Sequence, residues 1–513
     1  MAYNKPRSGG YRKFNNGGYS KPEDKRGTLW NPNALPVPTD EGRAIIEAVR
    51  NGQSVTVIAV AGSGKTTQAK QICAHTDIRN RGRVAYFAFN KSVQVEASES
   101  LPAELDVTTF HSAGFSLLRS TGKRYTTDKD KLDTLYESYG ERVKNLDAAL
   151  ILKLCRLSRI NLAVTLADVE AIAKTYNVLA NASELSIAHE LMTDADMSAK
   201  LGTIDYDDMI RIPALMGLTD RRYSFAIVDE AQDLSKASVC LIKALCRADC
   251  RYLIVGDPMQ AIYGFAGASA ESLADLTKHA NAVTLPLSIS WRCDTAIVEH
   301  ANEIEGSART VARPSADTGK VETLEDPRGM FTDVQPTDLI LCRVRASLVN
   351  VAFRLYRDGT PFRYMGESPF RQICGKLYAY VKGTGSASEF RDGLQRYIDE
   401  HDTDLDALAL DPDGDTVACS LMFARTLIAD GSVTDSRGMY ALADELAGGK
   451  HGVRIATVHK AKGLESDTVY VVDPELMPHP KATTEFEKSQ ERNLQYVART
   501  RAKHVLRYVS LPQ

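Results

Sequence analysis

The tightest limit on this chain's fold is a short strand-like run that breaks into glycines and then into a lysine and two threonines. Val55-Thr56-Val57-Ile58 leads directly into Ala59-Val-Ala-Gly62-Ser63-Gly64-Lys65-Thr66-Thr67. A phosphate is held where backbone N–H groups converge, which requires glycine wherever a Cβ would collide. A lysine can then reach the outer phosphates, and a hydroxyl can serve Mg²⁺. Gly62, Ser63, Gly64, Lys65, Thr66 and Thr67 are therefore candidate nucleotide-binding residues, with Thr66 a candidate metal ligand. The P-loop pattern GxxxxGK[ST] fits residues 59–66, except that Ala59 stands in the first glycine slot.

The surrounding pattern predicts an α/β fold. Glu41 to Val49 reads as a short helix, and strand-like runs recur at Val84–Phe89, Phe225–Val228 and Tyr252–Val255. Helical segments lie between them, an alternation that predicts a parallel sheet. Residues 120–220 interrupt it with a mostly helical insertion. A second βα region opens after Pro286, residues 383–450 are again helix-rich, and strands return at Arg454–Val458 and Thr468–Val472. At 513 residues the chain is long enough for several domains. No apolar run reaches bilayer length and no signal peptide is visible, so a cytoplasmic protein with no membrane partner is expected. The nine cysteines are scattered through apolar segments, as suits reduced thiols.

Two further segments carry chemistry. Ala226-Ile-Val-Asp229-Glu230-Ala-Gln-Asp233 is a hydrophobic strand ending in paired acids. Asp229 would hold Mg²⁺ through water, and Glu230 would orient and deprotonate the attacking water. In Val255-Gly-Asp-Pro-Met-Gln260-Ala-Ile-Tyr263-Gly-Phe265, the glutamine just past a strand end can sense a γ-phosphate, and the two aromatics can stack on bases. The net charge of −3 gives no overall basic signal, so any nucleic-acid surface must be local. The first 27 residues are a different material: seven basic side chains face two acidic ones, with Tyr3, Tyr11, Phe14 and Tyr19 interspersed. Such a segment buries too little to fold; it reads either as a plain solvated tail or as one that tracks phosphates.

With these segments in order, the chain resembles the superfamily 1A DNA helicases of the UvrD/Rep/PcrA type. Further matches are Ala88-Phe-Asn-Lys91, Thr109-Phe-His-Ser112, Leu287-Ser-Ile-Ser-Trp-Arg292, Gly359-Thr-Pro-Phe-Arg-Tyr364, Thr457-Val-His-Lys-Ala-Lys-Gly-Leu-Glu465 and Glu491-Arg-Asn-Leu-Gln-Tyr-Val-Ala-Arg-Thr-Arg-Ala502. The resemblance covers nearly all of residues 35–505. It implies two RecA-like P-loop NTPase motor domains with parallel sheets and a helical insertion in each. The implied limits are a basic tail over 1–34, domain 1A over 35–119 and 221–284, a helical accessory domain 1B over 120–220, domain 2A over 285–382 and 451–513, and a small accessory domain 2B over 383–450.

The resemblance also implies roles. ATP and Mg²⁺ would sit between the motor domains, with Lys65, Asp229, Glu230, Gln260, Arg292 and Arg501 catalytic. Arg292 and Arg501 would approach the γ-phosphate from the second domain, Glu465 would accept from the ribose, and Trp291 would stack on the base. Asn90, Thr109, His111, Tyr263, Phe265, Thr457, His459 and Lys460 would line a single-strand track. Lys462-Gly-Leu-Glu465 is the 3′→5′ form of its motif. Single-stranded DNA and single/double-strand junctions are the implied partners, with proteins of replication, repair or a phage or defence system beside them. A nucleoid, or a host cytoplasm for a phage product, would be the setting. With only a short stretch after Ala502, neither an appended nuclease nor a C-terminal partner-binding domain is expected. Four positions depart from the family pattern, one of them Val60, where a glycine is frequent. Gly42 stands where a base-reading glutamine is usual, Thr67 where many members have arginine, and Ala266 where an arginine is common. Base selectivity therefore stays open. The alternatives to a helicase are a translocase that strips proteins from single strands, a nucleotide-dependent clamp that recruits partners, and an RNA helicase.

Overall fold

The computed structural model describes residues 25–511, apart from 265–266, 269, 305, 307–308, 367 and 402–414. Most of the basic tail, Phe265 and Ala266 thus lie outside the described residues.

Two six-stranded sheets organise the chain. The first contains β1 (Val55–Ala59), β2 (Arg83–Ala88), β3 (Asp106–Thr109), β4 (Tyr223–Val228), β5 (Cys246–Gly256) and β6 (Val283–Leu287), in the order β3-β2-β4-β5-β1-β6. The second contains β7 (Lys320–Thr323), β8 (Leu339–Cys342), β9 (Phe362–Tyr364), β10 (Val453–Thr457), β11 (Ser466–Val472) and β12 (Ala502–Val509), in the order β7-β12-β11-β8-β10-β9. Every neighbouring pair is parallel. A parallel sheet is covered by helices on both faces, which explains why its central strands read as continuous apolar runs. All four residues of β8 are buried, and β2 is buried from Val84 to Ala88. This is the expected pair of RecA-like domains.

In the first lobe, α1 (Asp40–Arg50) precedes β1, α2 (Lys65–His75) follows it, α3 (Lys91–Ser100) follows β2, and α4 (Phe110–Arg119) follows β3. The helical insertion holds α5 (Lys131–Ser138), α6 (Ala148–Ile160), α7 (Leu166–Thr175) and α8 (Ala182–Leu201) around a core of its own, while α9 (Asp208–Leu215) packs with Leu118 of α4 and with the first-sheet core. A buried ionic knot ties its helices together. Arg159 forks onto Asp205 at 2.7 Å and also reaches Asp208, which Lys131 holds from the other side.

Three limits differ from expectation. Residues 27–30 are not free tail: Gly27 and Leu29 donate backbone N–H groups to Ser98 and Glu99, and Trp30 packs on the first core. The first sheet runs past residue 284, because β6 pairs with β1 through Leu287. The third difference is the largest. The second lobe carries α10 (Arg345–Arg357), α11 (Phe370–Val381), α12 (Ala387–His401), α13 (Asp415–Asp430), α14 (Ser436–Leu446) and α15 (Glu485–Arg499). Among the described residues, the segment expected as accessory domain 2B, α12 to α14, shows no core separate from that of the second sheet. Phe390, Leu394, Phe423 and Met439 share one buried cluster with Ile340, Val453 and Ile455 of the second sheet. These helices form a layer of the second motor lobe.

Candidate nucleotide cleft and strand track

The loop between β1 and α2 takes its shape from Gly62 and Gly64, at φ +73° and +83°. L side chains rarely adopt that region. Gly64 caps α2 with no side chain, leaving the first-turn N–H groups to the loop. A Cβ on Gly62 would stand 2.5 Å from Arg292 Cβ, and Trp291 N donates to Gly62 O at 2.9 Å, so the loop rests against residues 290–292. Ser63 Oγ is buried with no hydrogen-bond partner among the described residues. Unpaired buried donors beside a helix N-terminus fit a polyphosphate.

Lys65 Nζ lies 3.1 Å from both carboxylate oxygens of Glu230. Burial works against both charges, yet each compensates the other: the Lys65 pKa is raised, and Lys65 with Lys462 holds Glu230 down to about 2. Glu230 sits at φ +49°, an uncommon conformation outside glycine that concentrates at working sites. Asp229 Oδ1 accepts from Glu230 N at 2.9 Å, and Oδ2 accepts from Tyr86 Oη at 2.6 Å. Burial, then Glu230, pushes the Asp229 pKa up. Thr66 and Asp229 supply the hard oxygens that suit Mg²⁺. Gln232 links the two acidic loops, donating to Glu230 and accepting from Asp257 N at 3.0 Å. Gln260 Nε2 donates to Asp257 Oδ2 at 2.6 Å, so its carboxamide is anchored within its own loop.

The second lobe closes the cleft with more groups than the sequence indicated. Lys462 bonds Asp233 and Gln260 O, and its ammonium lies 5.3 Å from the Tyr263 ring centre. Tyr496 Oη accepts from Ala61 N at 3.1 Å in the phosphate loop. Asn493 Nδ2 donates to Pro258 O and Ala261 O at 3.1 and 2.9 Å, and Gln490 Oε1 accepts from Gly264 N. The two expected arginine fingers are held by second-lobe groups. Arg292 Nε is 2.7 Å from Glu465 and Nη1 donates to Thr500 O. Arg501, 1% exposed, donates to Val497 O and Leu464 O. Its Nη2 donates to Thr500 Oγ1, so two backbone carbonyls and one hydroxyl hold the buried guanidinium. Burial, then Arg292, lowers its pKa to about 9. Glu465, expected at the ribose, is committed to Arg292 and Lys503.

Beside the phosphate loop lies a cavity of about 300 Å³ whose lining includes Val37, Thr67, Gln68, Gln71 and Trp291. Trp291 is 50% exposed, with a face free to stack. Gln68 and Gln71 carried no motif signal.

The track residues fall on the carboxyl ends of the two sheets. Asn90 and Thr109 cap α3 and α4 beyond β2 and β3, whose ends pair at Ala88 and Thr109. His111 meets the exposed Tyr206 edge-on at 6.1 Å, an aromatic the sequence did not single out. Burial keeps the His111 pKa low. Thr457 ends β10, His459 and Lys460 follow it, and burial lowers the His459 pKa to about 4. Tyr263 is different. Its ring stacks on Phe89 at 5.5 Å beneath Lys462, and its hydroxyl reaches His459 O. Its ring and hydroxyl thus join the two lobes.

Comparison with known proteins gives the same direction. Residues 39–281 match the UvrD/REP helicase N-terminal domain, and residues 439–512 match the UvrD-like helicase C-terminal domain. F-box DNA helicase protein 1 of Schizosaccharomyces pombe is 24% identical over 91% of this chain and 56% of its own length. DNA helicase II of Haemophilus influenzae is 29% identical over 36% of this chain and 28% of its own length. ATP-dependent DNA helicase PcrA of Staphylococcus aureus is 31% identical over 20% and 15%. The chain thus spans little more than half of the first of these relatives and less of the others.

Proposed function

This chain belongs to the superfamily 1 helicases of the UvrD/Rep/PcrA type, and from that premise we propose that it is an ATP-dependent DNA motor. The finer reading is 3′→5′ movement on single-stranded DNA with unwinding at junctions. The observation that carries the motor reading is the Lys65–Glu230 pair at 3.1 Å, facing a second lobe whose Lys462 reaches the same acidic loop, while the polarity rests on the Lys462-Gly-Leu-Glu465 motif. Glu230, charged and held in place, is the base that orients and deprotonates water. Lys65 and the N–H groups of α2 hold the outer phosphates. Thr66 and Asp229 would hold Mg²⁺, which neutralises charge on the transferred phosphoryl group. Arg292 and Arg501 stabilise the transition state by exchanging their second-lobe partners for phosphate oxygens. Asn90, Thr109, His111, Thr457, His459 and Lys460 hold the strand, half on each lobe, so closure shifts one half against the other.

The test is unwinding of a labelled duplex with a 3′ or a 5′ single-stranded overhang, with ATP turnover read beside it. Unwinding from the 3′ overhang alone is expected, and Lys65→Ala and Glu230→Gln should each lower turnover by at least about a thousandfold while strand binding persists. Turnover with no response to DNA would overturn the motor reading.

A further inference from the structure

We propose that the side-chain oxygens of Gln68 and Gln71 read the exocyclic amine of the bound base. The cleft would then take adenine or cytosine and reject their oxo counterparts, hypoxanthine and uracil. This rests on the reading of the cleft as a nucleoside triphosphate site.

Gln68 and Gln71 are three residues apart on α2, so they share a face, and both line the cavity next to Trp291. They are 3% and 4% exposed. Gln68 Nε2 donates to Gly42 O at 3.3 Å, and Gln71 Nε2 donates to Pro36 O at 3.0 Å. Only the nitrogen end of a carboxamide can meet a carbonyl, so these contacts fix the orientation of both groups. No described residue donates to either Oε1. The two oxygens converge: a Cβ on Gly42 would stand 2.9 Å from Gln68 Oε1 and 3.6 Å from Gln71 Oε1. The bare glycine at position 42 is what leaves both acceptors room beside the cavity.

Each carboxamide has one N–H bonded to a backbone carbonyl, and the two convergent acceptors favour a base edge that brings N–H groups. An exocyclic NH₂ supplies two N–H groups to match them. A ring carbonyl at the same position brings lone pairs against lone pairs and leaves buried acceptors unpaired. Sites built to bond a substrate N–H discriminate strongly against analogues that lack it.

The experiment is equilibrium displacement of a ribose-labelled fluorescent ADP, with Mg²⁺, by ATP, ITP, CTP and UTP, with turnover of each measured in parallel. ATP should compete at least about tenfold more tightly than ITP, and CTP more tightly than UTP. In Gln68→Met and Gln71→Met, of similar length and without the acceptor, the ATP/ITP ratio should fall towards one. Equal binding of ATP and ITP by the unaltered chain overturns the proposal, even if both are hydrolysed. So does a full ratio in both variants. Discrimination in binding without DNA-stimulated turnover would sustain the base filter and overturn the motor reading instead.

Discussion

Tyr86 holds Asp229 with a 2.6 Å hydrogen bond from a strand neighbouring that of the acid, across 143 residues of sequence. Its ring is buried in β2, so the hydroxyl has little freedom to turn away. Groups that orient a metal-ligating carboxylate typically change metal affinity by about 10–100-fold when removed. Tyr86→Phe is accordingly expected to raise the Mg²⁺ concentration needed for half-maximal turnover by about that factor, with most of the rate recovered at saturating Mg²⁺. A Mg²⁺ titration of ATPase activity checks this, and an unchanged midpoint would free Tyr86 from the role. The contrast with Lys65 shows what a sequence discloses at this scale. Lys65, Thr66, Asp229 and Glu230 were legible because their chemistry needs neighbours within a few positions. Tyr86, Lys462, Asn493 and Tyr496 act on partners brought close only by folding; the last three stand in segments that carry the family resemblance, but those segments do not name their partners. The same limit applies to Arg292 and Glu465. Each was read as serving the nucleotide, while their 2.7 Å contact with each other is visible only in three dimensions.

At the scale of elements, the βα alternation was legible because parallel strands buried on both faces must be apolar along their whole length, and those runs stand out. The helices α12 to α14 were legible as helices and misread as a separate domain. An amphipathic helix shows the same periodicity whichever surface it covers, so its pattern does not name its partner. Here the partner is the second sheet. Phe423 of α13 is fully buried and meets Phe370 of α11 at 5.3 Å, and the cluster around them continues to Ile455 of β10. Phe423→Ala is therefore expected to destabilise the whole second lobe by about 3–5 kcal/mol, rather than to loosen a detachable part. Urea unfolding followed through nucleotide binding would detect the loss. A transition confined to α12–α14 that left binding intact would restore the separate domain.

For the whole molecule, the question is how the two lobes learn each other's state. Several cross-lobe contacts fall on the loops that would handle phosphate: Tyr496 on the loop after β1, Lys462 on the acids after β4, and Asn493 and Gln490 on the loop after β5. Three of these four residues lie on α15, which runs into β12 and so into the same sheet as the strand-track residues after β10. A change at the nucleotide loops thus has a rigid path to the far half of the track, and linkage requires the effect to run in both directions. Asn493 is the cleanest place to cut that path, since its amide bonds two carbonyls of the first lobe and the residue is not among those assigned to nucleotide or strand. Removing it leaves two carbonyls short of a donor, a loss of about 1–3 kcal/mol that belongs to the joined state. Asn493→Ala should therefore lower the stimulation of ATP turnover by single-stranded DNA by about tenfold or more, with nucleotide affinity in the absence of DNA changed by no more than about twofold. Parallel titrations with nucleotide and with a strand decide it. Stimulation at the level of the unaltered chain would mean that the lobes communicate by another route, with Lys462 next to be tested.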